Sequence, residues 1–264
     1  MSAPRVNSPT TPVTCTRVNT LPDTAWITLE HRSVDLACAE SLATHLATVA
    51  DDPAIRCVVL TGRGRIFSVG GDLGALADPA TPVRAVVTTL NRAVLSIATM
   101  PKPVLAAVNG TAAGGGMGLA LGTDLVVATE SARFVPAFSA IGAPPDTGFT
   151  AAVSRLSGPA TAYRLYTENP HLSATEAADL GLVSHVHPDR DFRDAVGRHV
   201  HTLLGIPTAA AAATKRLLRE SPDVLAARLE AEADAMCEIA ATDDFRDRVR
   251  AFHRGHGTPR NVSP

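Results

Sequence analysis

Asp146, in the stretch GAPPDTGFT (142–150), is an acid that follows two prolines and precedes a helical pattern. Two glycine-rich stretches lie upstream of it: FSVGGDL (67–73) and GTAAGGGMG (110–118). An acid so placed has two uses. It can cap the helix by accepting from a first-turn N–H, worth about 1 kcal/mol, or it can move a proton to and from a bound molecule. The glycines offer a different chemistry, because bare backbone lets a ligand reach main-chain N–H groups, and two such groups converging on one oxygen stabilise an oxyanion. They also permit close packing of helix on strand. A dinucleotide cradle is a poorer match, since GxGxxG spacing after the first strand and the acid beyond it are both missing.

Other reactive side chains group less well. Ser68 and Ser139 have no base at a nucleophile's spacing. His185 and His187 alternate on one strand without a third ligand in view, so they read as structural and no metal is expected. Cys15, Cys38, Cys57 and Cys237 show neither CxxC nor metal spacing and read as reduced thiols.

Such groups need a frame to hold them. Residues 26–29, 55–60, 103–108, 125–128 and 183–187 read as strands, with helices over 37–49 and 82–98. This alternation argues for βαβ crossovers and a mostly parallel sheet. Both glycine stretches then follow the carboxyl ends of strands, where parallel sheets hold ligands, and Gly115 opens a helix. From about residue 191 the pattern turns helical, over 191–204, 208–219, 223–241 and 244–252, and no internal repeat is visible.

Composition narrows the partners. A chain of 264 residues with net charge −2 has no basic footprint for nucleic acid. Lys102 and Lys215 are its only lysines, so an anionic ligand group would meet arginine. No apolar run reaches the ~18 residues of a membrane span. Residues 1–14, rich in Pro, Ser and Thr and without a hydrophobic signal core, read as a disordered tail and point to a cytoplasmic protein.

FSVGGDL and PKPVLAAVNGTAAGGGMGLALGTDLVVA (101–128) resemble the two signature segments of the crotonase (enoyl-CoA hydratase/isomerase) superfamily. The likeness runs on through ARFVPAFSAIGAPPDTG (132–148) and LSATEAADLGLVSHV (172–186) to the closing helix. The resemblance implies an α/β fold: a crotonase-like ββα spiral core over residues 15–200, then a helical C-terminal trimerisation segment over 201–264. It implies a homotrimer or dimer of trimers acting on an acyl thioester of CoA or an acyl-carrier protein. CoA or phosphopantetheine belongs to the substrate, and no other cofactor is expected. By position, the N–H groups of Gly71 and Gly115 form the oxyanion hole for a thioester enolate. Arg32, Val69, Asp72, Leu73, Phe252 and Arg254 lie against the thioester or CoA, although Asp72 also reads as a residue that holds its own loop. Met117, Gly118, Phe138, Ile141 and Phe149 line the acyl pocket.

The two glutamates of family hydratases match Gly118 and Phe138, so both hydratase acids are absent. Asp146 matches instead the carboxylate of a branch similar to the enoyl and epoxide isomerases of phenylacetate degradation. That likeness implies an isomerase that shifts a double bond with one carboxylate as proton shuttle. A hydratase, dehydratase or other crotonase lyase is the alternative within the superfamily. A non-catalytic thioester-binding protein, with Asp146 merely a cap, is the alternative of another class. Phe149 stands where that branch has glycine. The loop 29–42 looks shortened and lacks an Asn-Ala pair that helps to hold CoA, for which Arg32 would compensate.

Overall fold

In the computed structural model, residues 11–256 are described except 19, 77, 79 and 80. Residues 1–10 of the expected tail therefore lie outside the described residues, and its last two positions belong to a strand. VTCTRV forms β1 (Val13–Val18), antiparallel to β2 (Leu21–Leu29), with Val13 opposite Leu29 and Cys15 opposite Ile27. Helix α1 (Leu36–Asp51) follows; Asp35 caps it by accepting from Cys38 N at 2.8 Å.

The chain next makes three turns of one pattern, in which a long strand and a short strand are followed by helix. The first turn is β3 (Cys57–Gly62), β4 (Ile66–Ser68), the four-residue α2 (Leu73–Leu76) and α3 (Val83–Thr99). The second is β5 (Val104–Val108), β6 (Thr111–Ala113) and α4 (Gly115–Leu121). The third is β7 (Leu125–Thr129), β8 (Arg133–Val135) and α5 (Phe149–Ser157). The remaining core elements are α6 (Pro159–Glu168), β9 (Leu172–Ser173), α7 (Ala174–Asp179), β10 (His185–His187) and α8 (Phe192–Leu204). Long strands build a sheet of order β1-β2-β3-β5-β7-β10, parallel from β2 onward. Short strands build a second sheet, β4-β6-β8-β9. The ββα spiral is thus a repeat of structure that leaves no repeat of sequence.

Both faces of the long sheet are covered, so its strands read as continuous apolar runs. In β3, Val58 and Leu60 join the main core, while Cys57 and Val59 face α8 through Val196 and Val200. Helix α8 therefore belongs to the core layer, and the boundary expected after residue 200 falls inside it. Beyond it come α9 (Thr208–Leu218), α10 (Pro222–Ala240) and α11 (Asp243–His256). Helix α10 returns onto α3, where buried Asn91 donates to the Leu229 carbonyl at 2.8 Å, and α11 packs near α2. Among the described residues no helix is long and apolar enough to cross a membrane.

Candidate active site

The two glycine stretches meet backbone to backbone. A Cβ on Gly116 would stand 2.4 Å from the Ser68 carbonyl oxygen, and one on Gly70 would stand 2.9 Å from Gly115 N. Side chains are excluded here because two strand ends and a helix start occupy the same space. Gly70 N donates to Ser68 Oγ at 3.2 Å, Val69 N to the Arg32 carbonyl at 2.8 Å, and Val34 N to the Gly70 carbonyl at 2.8 Å. Gly115 is the first residue of α4, so its N–H has no acceptor within the helix. The resulting floor presents main chain to the space above it.

Across that floor stands the turn Pro145–Asp146–Thr147–Gly148. Thr147 has φ 54°, a left-handed conformation rare for a β-branched residue, and Gly148 follows at φ 74°. The turn brings Thr147 Oγ1 to 2.8 Å and Asp146 Oδ1 to 3.2 Å from where a Gly115 Cβ would lie. Thr147 Oγ1 donates to Asp146 Oδ1 at 2.9 Å. Burial pushes the Asp146 carboxyl up to about 6, against the downward pull of the Thr147 hydroxyl. A helix cap would have shown the reverse, an acid bonded to first-turn N–H groups and lowered. Phe149 N donates instead to the Asp146 carbonyl at 3.0 Å, and its neighbours are taken by another residue. Glu232 of α10 accepts from Gly148 N at 2.7 Å, from Thr150 N at 3.0 Å and from Thr150 Oγ1 at 2.5 Å. Burial raises Glu232 to about 7; its three donors lower it and the nearby Asp146 charge raises it.

Floor and turn border one apolar cavity. Of the residues expected in the site, Val69, Gly71, Leu73, Gly115, Phe138, Ile141, Asp146 and Phe252 line it. Met117, Gly118 and Phe149 do not. They form the layer behind the wall, where Phe149 meets Phe138 edge-on at 5.3 Å and Met117 is fully buried. A Cβ on Gly118 would come within 2.7 Å of the Thr147 carbonyl oxygen, so the turn occupies the room a larger residue would need. Three other residues expected against the thioester or CoA lie outside this cavity. Arg32 is exposed and contributes its carbonyl to the floor, Arg254 is exposed, and Asp72 holds its loop by accepting from Gly74 N at 2.8 Å. His187 gains an unexpected neighbour, His199 of α8, with their Nε2 atoms 2.9 Å apart. Among the described residues, however, no set of three side chains is placed to hold a metal.

The sequence reading missed three sets of lining or supporting residues. Val83, Val86, Val87 and Leu90 of α3 line the cavity; their i, i+3, i+4, i+7 spacing looks like an ordinary core stripe. Met236 lines it from α10. Glu232 left a legible signal, because it interrupts the buried stripe Leu225, Leu229, Ala233, Met236 of its helix. A charge on an apolar stripe asks for a buried partner.

A spiral of ββα units with a ligand cavity over two touching backbone loops defines a protein of the crotonase fold. Residues 23–256 match the Enoyl-CoA hydratase/isomerase family, and the chain belongs to it as an enzyme of the crotonase superfamily. It is 37% identical over 217 residues to the 1,2-epoxyphenylacetyl-CoA isomerase of Escherichia coli, covering 80% of this chain and 83% of that one. It is 40% identical over 199 residues to the "Probable enoyl-CoA hydratase" of Rhodobacter capsulatus, covering 75% and 77%. The solved structure of an enoyl-CoA hydratase from Bacillus halodurans superposes with a TM-score of 0.85 at 27% identity, over 91% of this chain and 99% of that chain.

Proposed function

We propose that this enzyme isomerises an enoyl thioester through an enolate, with Asp146 as the single proton carrier. The observation that carries this reading is the Asp146 carboxyl: it borders the cavity, is free of the capping role, and is raised to about 6 by burial. A group poised there changes protonation state readily near neutral pH. In the reaction, ionised Asp146 takes a proton from Cα of a 3-enoyl thioester. The electron pair spreads over the dienolate, whose oxygen accepts from the N–H groups of Gly71 and Gly115. Asp146 then returns the proton to Cγ, leaving the 2-enoyl thioester. Atoms and charge balance without a redox partner, so the proposal includes no cofactor beyond the CoA or phosphopantetheine of the substrate.

The layer behind the wall favours isomerisation over hydration. Gly118 and Phe138 hold the two positions of the hydratase acids, and at 118 the turn itself fills the space. The trimer or dimer of trimers belongs to the same proposal, supported by Leu217 and Leu218, exposed apolar residues at the end of α9.

Exchange of acyl-chain hydrogen with deuterated solvent, using 3-hexenoyl-CoA, tests the assignment. Asp146→Asn is expected to lose exchange by about 10²–10⁴-fold, and wild type to hydrate crotonyl-CoA orders of magnitude more slowly than it isomerises the 3-enoyl thioester. Undiminished exchange in the folded variant removes Asp146 as the proton carrier, and wild type that binds 3-hexenoyl-CoA without any exchange belongs with the silent binders.

A further inference from the structure

We propose that Glu232 is a positioning residue for Asp146: it clamps the first turn of α5 and so holds the turn that aims the Asp146 carboxylate across Gly115. This inference rests on the isomerase reading above.

The clamp is mechanical first. Thr147 and Gly148 are both left-handed, and a threonine holds that conformation only where its surroundings dictate it. Glu232 supplies that constraint from 84 residues away, tying Gly148 N and both donors of Thr150 to one carboxylate. A negative charge on first-turn N–H groups suits a helix start. The carboxylate is buried and its helix is itself tied to α3 through Asn91 and Leu229. Glu232 does not line the cavity, so it acts on the substrate only through the turn.

The second effect is electrostatic. Among the described residues, the charge that bears on Glu232 is that of Asp146, which raises it. Gly148 packs beside Val94 of α3 and Leu229 of α10, and Asp146 beside the backbone of α4, none of them ionisable. The neighbouring acids of α10, Glu230 and Asp234, turn outward to Arg84, and Arg248 of α11, which passes over Gly142, is paired with Asp244. Two carboxylates in such a setting titrate in sequence: Asp146 ionises first, near 6, and its charge helps to hold Glu232 protonated up to about 7.

The test is the pH profile of deuterium exchange into 3-hexenoyl-CoA, from about pH 5 to about pH 8, in wild type, Glu232→Gln and Thr150→Val. In wild type the rate rises with pH as Asp146 loses its proton near 6. Glu232 is still protonated there, so Glu232→Gln leaves this limb in place. It also leaves one clamp donor without an acceptor, so kcat falls about tenfold or more while KM holds. Thr150→Val withdraws one donor from Glu232 and makes it ionise less readily. It also loosens the clamp by that one bond, so kcat falls by a smaller factor while KM holds, and this variant decides the matter if the glutamine variant does not fold. An unchanged kcat in both variants, while Asp146→Asn abolishes exchange, overturns the role of Glu232 alone. Undiminished exchange in Asp146→Asn instead overturns the isomerase reading and takes this role with it.

Discussion

The floor and the wall of the cavity are built by opposite means. The floor is main chain from two short stretches, each complete within seven to nine residues (67–73 and 110–118), and it works by having no side chains. The wall is a carboxylate whose properties come from elsewhere: Thr147 beside it, apolar α3 across the cavity, and Glu232 reaching in from the C-terminal helices. A steric requirement for bare backbone is met by one residue type and travels with the motif. An electrostatic role is conferred by surroundings, so the same acid is a cap in one setting and a proton carrier in another.

Breaking the floor gives the largest expected effect. Gly115→Pro is an ambiguous probe, because added atoms at 115 meet Thr147 Oγ1 and Asp146 Oδ1 and disturb the wall as well. Gly71 is the cleaner position, since a Cβ there meets only the tip of Leu76 at 3.5 Å. Gly71→Pro removes one N–H and is expected to lower turnover of 3-hexenoyl-CoA by about 10²–10³-fold with little loss of stability. Unchanged turnover would remove Gly71 from the oxyanion hole.

The wall is next, and its signature is pH dependence. The folded state raises Asp146 from 3.8 to about 6, so folding favours its protonated form. Its contribution is most favourable below the unfolded value and is lost as pH rises through the folded value. Asp146→Asn removes that penalty. The variant is expected to be more stable than wild type by up to about 3 kcal/mol at about pH 8 and nearly equal to it at about pH 4, as read from urea midpoints. A helix cap predicts the opposite, a variant no more stable than wild type at either pH.

The smallest effect lies where floor and wall touch. Gly118→Ala puts a methyl within 2.7 Å of the Thr147 carbonyl and pushes the turn away from α4. The expected loss is about 1–3 kcal/mol of stability, with deuterium exchange reduced alongside it. A variant as stable and active as wild type would show that the turn is free to shift and that position 118 has room for a hydratase acid.

Much of the molecule was legible one stretch at a time. The long strands, the helices of the C-terminal third and the glycine floor each rest on local causes: apolar periodicity, and close approach of backbone that excludes every Cβ. The short strands β4, β6, β8 and β9 were not legible, because two or three residues carry too little pattern and pair only once the spiral has formed. Strand β1 was mistaken in part for tail, since its order comes from lying against β2. The same holds for chemistry. Sequence by itself determined that two glycine stretches would bring bare backbone together, and where. Only the tertiary structure decided that Glu232 caps α5 and thereby releases Asp146, that burial raises both acids, and that the C-terminal helices wall their own chain's cavity through Met236 and Phe252. A steric need is written at the residue that meets it; burial and charge are sums over neighbours that only folding brings together.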